Sequence, residues 1–173
     1  LDGGLSFAHA FGDAHVLVTH HARGFEDTTY FPTKPAHEAA RYELALEHAA
    51  GLRLFDDVLE VLDHDGTPRL RMSRPWIRDR FGAIHRLSVS LAGCAFDDSP
   101  LPPWRRRPTP PGADRCEIAL DWSALDLHYP AELDPAWTQT GTITEVRFSG
   151  ALCANAHGQA VLAGGDVLTA FPS

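Results

Sequence analysis

Residues 115–123 read RCEIALDWS, and their alternation decides the fold class. Cys116, Ile118, Leu120 and Trp122 fall on one side of an extended chain, and Glu117, Ala119, Asp121 and Ser123 fall on the other. Apolar and polar residues alternating with a period of two mark a half-buried strand. Leu125, Leu127 and Tyr129 then continue the apolar face with the parity shifted by one. A shift of one residue turns every side chain over, so a bulge or tight turn is expected near Ser123 and Ala124.

The same period recurs on either side. Residues 57–73 (DVLEVLDHDGTPRLRMS) read as a hairpin, with Asp65-Gly66 supplying positive-φ turn chemistry. Leu87, Val89 and Leu91 alternate with serines, and residues 15–20 (HVLVTH) form a further strand candidate. Residues 36–50 have the composition of a helix, yet Tyr42, Leu44 and Leu46 alternate with Glu43, Ala45 and Glu47, so a strand over 41–48 is preferred. Residues 141–152 and 159–171 close the chain as two more strands joined by 155–158. Leu5, Phe7, Ala8 and Phe11 have near-helical spacing, which points to a short helix over 1–13.

Residues 23–35 carry Gly24, Pro32 and Pro35 and read as a loop or lid. Residues 99–111 (SPLPPWRRRPTPP) contain six prolines. Each proline removes a donor and fixes φ, so this is expected to be an exposed extended loop. The strand pattern resumes directly after it, so it divides no domains and residues 1–173 form one. About eight strands on short connections predict a mostly β fold: an antiparallel meander closing into a small barrel, lipocalin-like or hot-dog-like, with one or two short helices. Such a barrel has room for its own side chains or one small ligand.

Composition narrows the partners. The chain carries a net charge of −8, which disfavours nucleic acid because phosphate contacts need a basic surface. No apolar stretch reaches the length that crosses a bilayer, so no membrane partner is expected. Fourteen of the fifteen basic residues are arginines, Lys34 being the lone lysine. Cys94, Cys116 and Cys153 are odd in number, far apart and set in apolar runs, which favours buried free thiols over a disulfide framework. The cytoplasm is then the default compartment. The chain begins at Leu1, so an expectation of N-terminal trimming keeps secretion open.

The candidate chemistry is acid–base. An apolar lumen raises the pKa of a carboxylic acid and lowers that of a histidine, bringing either towards neutrality. Asp56, Asp57, His85, Asp121 and His128 are the titratable candidates; His85 has the parity of Leu87, Val89 and Leu91, which makes it the first choice, and Asp57 stands beside it in the catalytic set. Tyr42, Trp122, His128, Tyr129 and Trp137 are the candidate substrate-binding residues, since Tyr and Trp offer apolar surface with one polar handle. They serve equally well as plain core filling. The His9, His15, His20 and His21 group lacks metal-ligand spacing, so no metal or other cofactor is expected. No nucleophile elbow or phosphate loop is present in the sequence. Arg105, Arg106 and Arg107, beside Trp104, form a compact basic cluster suited to docking an acidic carrier protein.

Two segments resemble the second hot-dog half of polyketide synthase dehydratase domains. Residues 1–11 (LDGGLSFAHAF) resemble its catalytic helix, and residues 57–81 (DVLEVLDHDGTPRLRMSRPWIRDRF) resemble its hairpin and the run that follows. The resemblance covers about a third of the chain. It implies a helix at the start of the chain, with Asp2 in the position of the catalytic aspartate. Ser6 stands where the family has Gln, and the family's catalytic histidine in its His-x-x-x-Gly context is not found, so Asp2 lacks its partner.

Three functions stay open on these residues. One is an enzyme with cyclase, isomerase or dehydratase chemistry on an apolar substrate of polyketide or terpenoid type, which an acyl carrier protein would present. The second is a non-catalytic, lipocalin-like binder or carrier of an apolar small molecule. The third is an interaction module working through the Pro/Arg loop, which predicts a filled core. Homodimerisation is left open.

Overall fold

The structure is a computed structural model that describes residues 4–21, 24–103 and 106–140, together with four backbone strands between 147 and 167. Asp2, Trp104, Arg105 and the side chain of Cys153 lie outside the described residues, as do much of 141–152 and 159–171.

All regular structure among the described residues is β. The strands are β1 Gly4–Phe11, β2 Ala14–His21, β3 Gly24–Phe31, β4 Ala39–Ala45, β5 Gly51–Phe55, β6 Val58–Leu62, β7 Pro68–Met72, β8 Trp76–Arg78, β9 Ile84–Arg86, β10 Val89–Ala92, β11 Arg115–Asp121, β12 Ala131–Asp134 and β13 Ala136–Gln139. After these come β14 Arg147–Phe148, β15 Ala151–Ala154, β16 Ala160–Ala163 and β17 Asp166–Val167. β15 pairs with β16 across 155–159, where a strand–turn–strand was expected, and β14 pairs with β17.

The large antiparallel sheet is organised around β3. One edge of β3 takes β2, which takes β1. The other edge takes β12 and then β13, in one register: Thr29 faces Leu133 and Glu26 faces Ala136. Buried Pro135 interrupts this long strand, since it has no N–H to give the ladder. β12 next pairs with β8, which pairs with β9. β13 pairs with β7, which continues through β6 to β5. The second sheet is short, in the order β10–β11–β4.

The expected alternation holds on β11: Cys116, Ile118, Leu120 and Trp122 are buried, and Glu117 and Asp121 are exposed. The parity shift is a turn closed by the Leu125 N–H donating to the Trp122 carbonyl at 2.9 Å. The 57–73 hairpin forms with Gly66 at φ 74, and the ambiguous 36–50 stretch contains a strand, with Leu46 buried behind it.

The expectations of helix and of free thiols are corrected. Residues 4–11, read as helical, form a strand paired to β2, and among the described residues there is no helix. The apolar spacing that looked helical falls across a bulge between Phe7 and Phe11, with His9 at φ 55. The expected barrel does not close among the described residues: the large sheet ends on β1, β5 and β9, and no pairing joins those edges. The chain leaves it after β9 to build the second sheet, and the two sheets share one core, with the Phe31 and Trp122 rings 5.4 Å apart. Cys94 and Cys116 are joined as a disulfide, their Cα atoms 5.3 Å apart, because the turn after β10 returns Cys94 to β11. Distance along the sequence hid that proximity.

The proline-rich segment is also less exposed than expected. Pro103 is buried, and the Ala95 N–H donates to the Pro111 carbonyl at 2.7 Å. A Cβ on Gly51 would lie 2.7 Å from Pro108 Cβ, so β5 carries glycine where this strap crosses it. On the opposite edge, β1 is exposed along its whole length and shows Leu5, Phe7 and Phe11.

Candidate functional site

A cleft of about 1090 Å³ opens where the β1–β2 turn, the end of β3 and the segment leading into β4 meet. Its floor is apolar, from Ala14, Phe31 and Ala40, and its rim carries Lys34, His37, Glu38 and Arg41. The segment 32–38 forms one wall because Pro32 and Pro35 keep it from extending β3. The reading of 23–35 as a loop was therefore right only for its end, since Gly24–Phe31 is strand.

Tyr42 stands between the two sheets at the base of this cleft. It points inward from β4, and its hydroxyl hydrogen-bonds Asp27 on the core-facing side of β3. Burial, reinforced by the Asp27 charge, holds the Tyr42 hydroxyl well above the usual phenol range. Burial likewise raises Asp27, against the lowering effect of the Tyr42 bond. The other Asp27 oxygen, Oδ1, is buried without a hydrogen-bond partner.

The rim is held from behind by a chain of polar groups. Trp122 Nε1 donates to the Tyr129 hydroxyl at 3.1 Å, and that hydroxyl donates to Glu38 Oε1 at 2.9 Å. Glu38 Oε2 is 2.8 Å from Lys34 Nζ. The Trp122 N–H also donates to the Glu38 carbonyl at 2.9 Å. Tyr129 is pushed up to about 12, mainly by burial, with Glu38 adding to it. Arg41 is paired with Glu117, and Asp121 accepts from Ser123.

Of the expected substrate-binding residues, Tyr42 lines the cleft, while Trp122 and Tyr129 form the bracing row behind it. Trp137 is 6 % exposed and stacks on Phe25 at 6.0 Å, so it fills the core. His128 is exposed elsewhere, beside Phe81 and 3.9 Å from Asp79. Of the catalytic set, Asp57 sits in the two-residue turn between β5 and β6 at φ 58, where its carboxylate accepts the Val89 N–H. His85 pairs opposite buried Ile77, which fits the expected inward parity, and its Nε2 is buried and unpartnered. Neither residue lines the cleft. In the basic cluster, Arg106 is committed to Asp97 at 2.9 Å and to the Leu101 carbonyl, while Arg107 is exposed.

Lys34, Glu38 and Asp27 were not singled out by sequence. The Lys34–Glu38 pair forms outside any helix, and the partner of Asp27 comes from the opposite sheet, so neither left a readable signal. The chain matches no protein-family model, no curated protein and no solved structure.

Proposed function

We propose that this is a non-catalytic binding domain that takes a small apolar molecule in the cleft between β3 and β4. The observation that carries the reading is the cleft itself, about 1090 Å³ with an apolar floor and a polar rim. Pockets of this size that combine apolar walls with a few fixed polar groups suit drug-sized ligands. The rim groups are already engaged: Tyr42 with Asp27, Lys34 with Glu38 and Arg41 with Glu117. Groups held in this way keep a cleft in shape and orient a ligand. The raised Tyr42 keeps its proton at neutral pH and so offers the ligand an uncharged hydroxyl.

The test uses Nile red as an uncharged apolar probe. Its fluorescence should rise on titration with the domain. Ala36→Trp, which places an indole in the cleft from an exposed position, should abolish the rise without lowering the melting midpoint. Equal probe binding by this variant overturns the proposal.

A second reading, acid–base chemistry on a polyketide- or terpenoid-type substrate, draws on one observation, the buried and unpartnered Nε2 of His85. It requires His85→Gln to abolish turnover of such a substrate while the fold is kept.

A further inference from the structure

On the outer face of the large sheet, Arg53, Glu60 and Arg71 stand in one row across β5, β6 and β7. Arg53 is 2 % exposed and Glu60 is 3 % exposed. Arg53 Nη1 donates to Glu60 Oε2 at 2.9 Å, and Arg71 Nε donates to Glu60 Oε1 at 3.1 Å. Glu60 therefore has both oxygens occupied, one by each arginine.

The row carries two guanidinium charges against one carboxylate. An arginine does not shed its proton, so the row keeps one positive charge in excess, and Arg71, 20 % exposed, shares it with solvent. The unsatisfied donors lie on the Arg53 side. Its Nε and Nη2 are buried and have no hydrogen-bond partner. Phe55 offers its ring face 5.2 Å from Arg53 Cζ, which compensates part of the charge and none of the N–H groups. Nε–H and Nη2–H lie on one edge of the guanidinium, and that edge is the fork that grips an anion with two parallel hydrogen bonds.

The proline-rich strap encloses this row. Asp97 is bonded to β5 on both sides, its N–H to the Leu52 carbonyl and its carbonyl to the Leu54 N–H, each at 2.9 Å. Its carboxylate is taken by Arg106 and by the Ser99 N–H, so it does not neutralise Arg53. Gly51 and Gly66 let the strap sit close, since a Cβ on Gly66 would meet the Pro103 and Arg106 carbonyls at 3.0 Å.

We propose that the free edge of Arg53 is a binding site for a compact monovalent anion, chloride or a formate-sized carboxylate, held between the sheet and the strap. A water molecule would satisfy the donors but leave the charge uncompensated. An anion does both.

The melting midpoint should be measured at fixed ionic strength in chloride, in formate and in gluconate, a much larger anion. Chloride or formate should raise it saturably relative to gluconate. The rise should be on the order of 4 °C at an anion concentration about ten times the dissociation constant. Arg53→Met should abolish the difference. If that variant does not fold, Arg71→Gln serves instead: it leaves the fork but removes the excess charge, and should weaken the anion dependence roughly tenfold. Equal midpoints in the three salts overturn the proposal, as does a dependence that survives Arg53→Met or is unchanged in Arg71→Gln.

Discussion

Asp57 Oδ1 accepts the backbone N–H of Val89 at 3.0 Å, which ties the β5–β6 turn of the large sheet to the first residue of the small one. The bond gives Asp57 a structural task. Arg74 holds the same turn through the Asp56 carbonyl at 2.9 Å.

Removing that carboxylate leaves the Val89 amide without its acceptor. Asp57→Ala should lower stability by about 1–3 kcal/mol, the cost of an unsatisfied buried donor. Asp57→Asn keeps an acceptor oxygen and should recover most of the loss. Denaturant unfolding of the three proteins is the measurement, and equal midpoints for Ala and wild type would contradict the assigned bond.

Asp134 predicts a pH dependence. Burial, assisted by Glu26, Glu132 and Asp27, raises it from 3.8 to about 6. The folded chain then binds a proton more tightly than the unfolded chain. That contribution is fully present below pH 3.8 and is lost as pH rises through about 6. Asp134→Asn cannot titrate. Its melting midpoint should match the wild type in acid, gain on it between about pH 4 and pH 6, and hold a constant lead above that range. A lead that shrinks with rising pH would refute the sign.

The Cys94–Cys116 bond closes a loop with a sequence separation of 22. Loop-closure entropy for that length gives about 3 kcal/mol, removed by reductant or by Cys94→Ser with Cys116→Ser. Chemical denaturation with and without dithiothreitol measures it. Identical curves, with free-thiol assay showing full reduction, would mean that the bond does not constrain the unfolded chain.

Tyr129→Phe deletes the hydroxyl that links Trp122 to Glu38. The loss should be about 1–2 kcal/mol for two bonds, since the indole N–H is left without its acceptor. Nile red affinity should fall as well, because Glu38 loses its brace at the rim. Unchanged affinity alongside reduced stability would restrict the chain of bonds to folding alone.

Much of the sheet content was legible because it rests on a period of two, and β11 carries that period cleanly on a single face. β1 was misread because a bulge breaks its period, and four apolar residues spread across a bulge imitate a helical stripe. Which sheet edges meet was not legible, because closure depends on the pairing of edges and not on any strand's own pattern. At the site, Tyr42 was legible from its inward parity. Asp27 was not, because an aspartate among core-facing residues makes sense only beside the tyrosine that arrives from the other sheet. The bond from Asp57 to Val89 was not legible for a related reason: a carboxylate in a turn reads the same whether it serves chemistry or a backbone amide.

Among the described residues the outer edge of β1 is unpaired, which has a consequence for handling the domain. Its eight residues, GLSFAHAF, contain no charge to repel a neighbour, and Leu5, Phe7 and Phe11 are in view. Uncharged free edges of this length invite strand addition by other chains. What β1 governs is therefore colloidal behaviour: two preparations with the same unfolding midpoint will differ in solubility limit and refolding yield according to protein concentration, and a lysine in place of Phe7 will separate them.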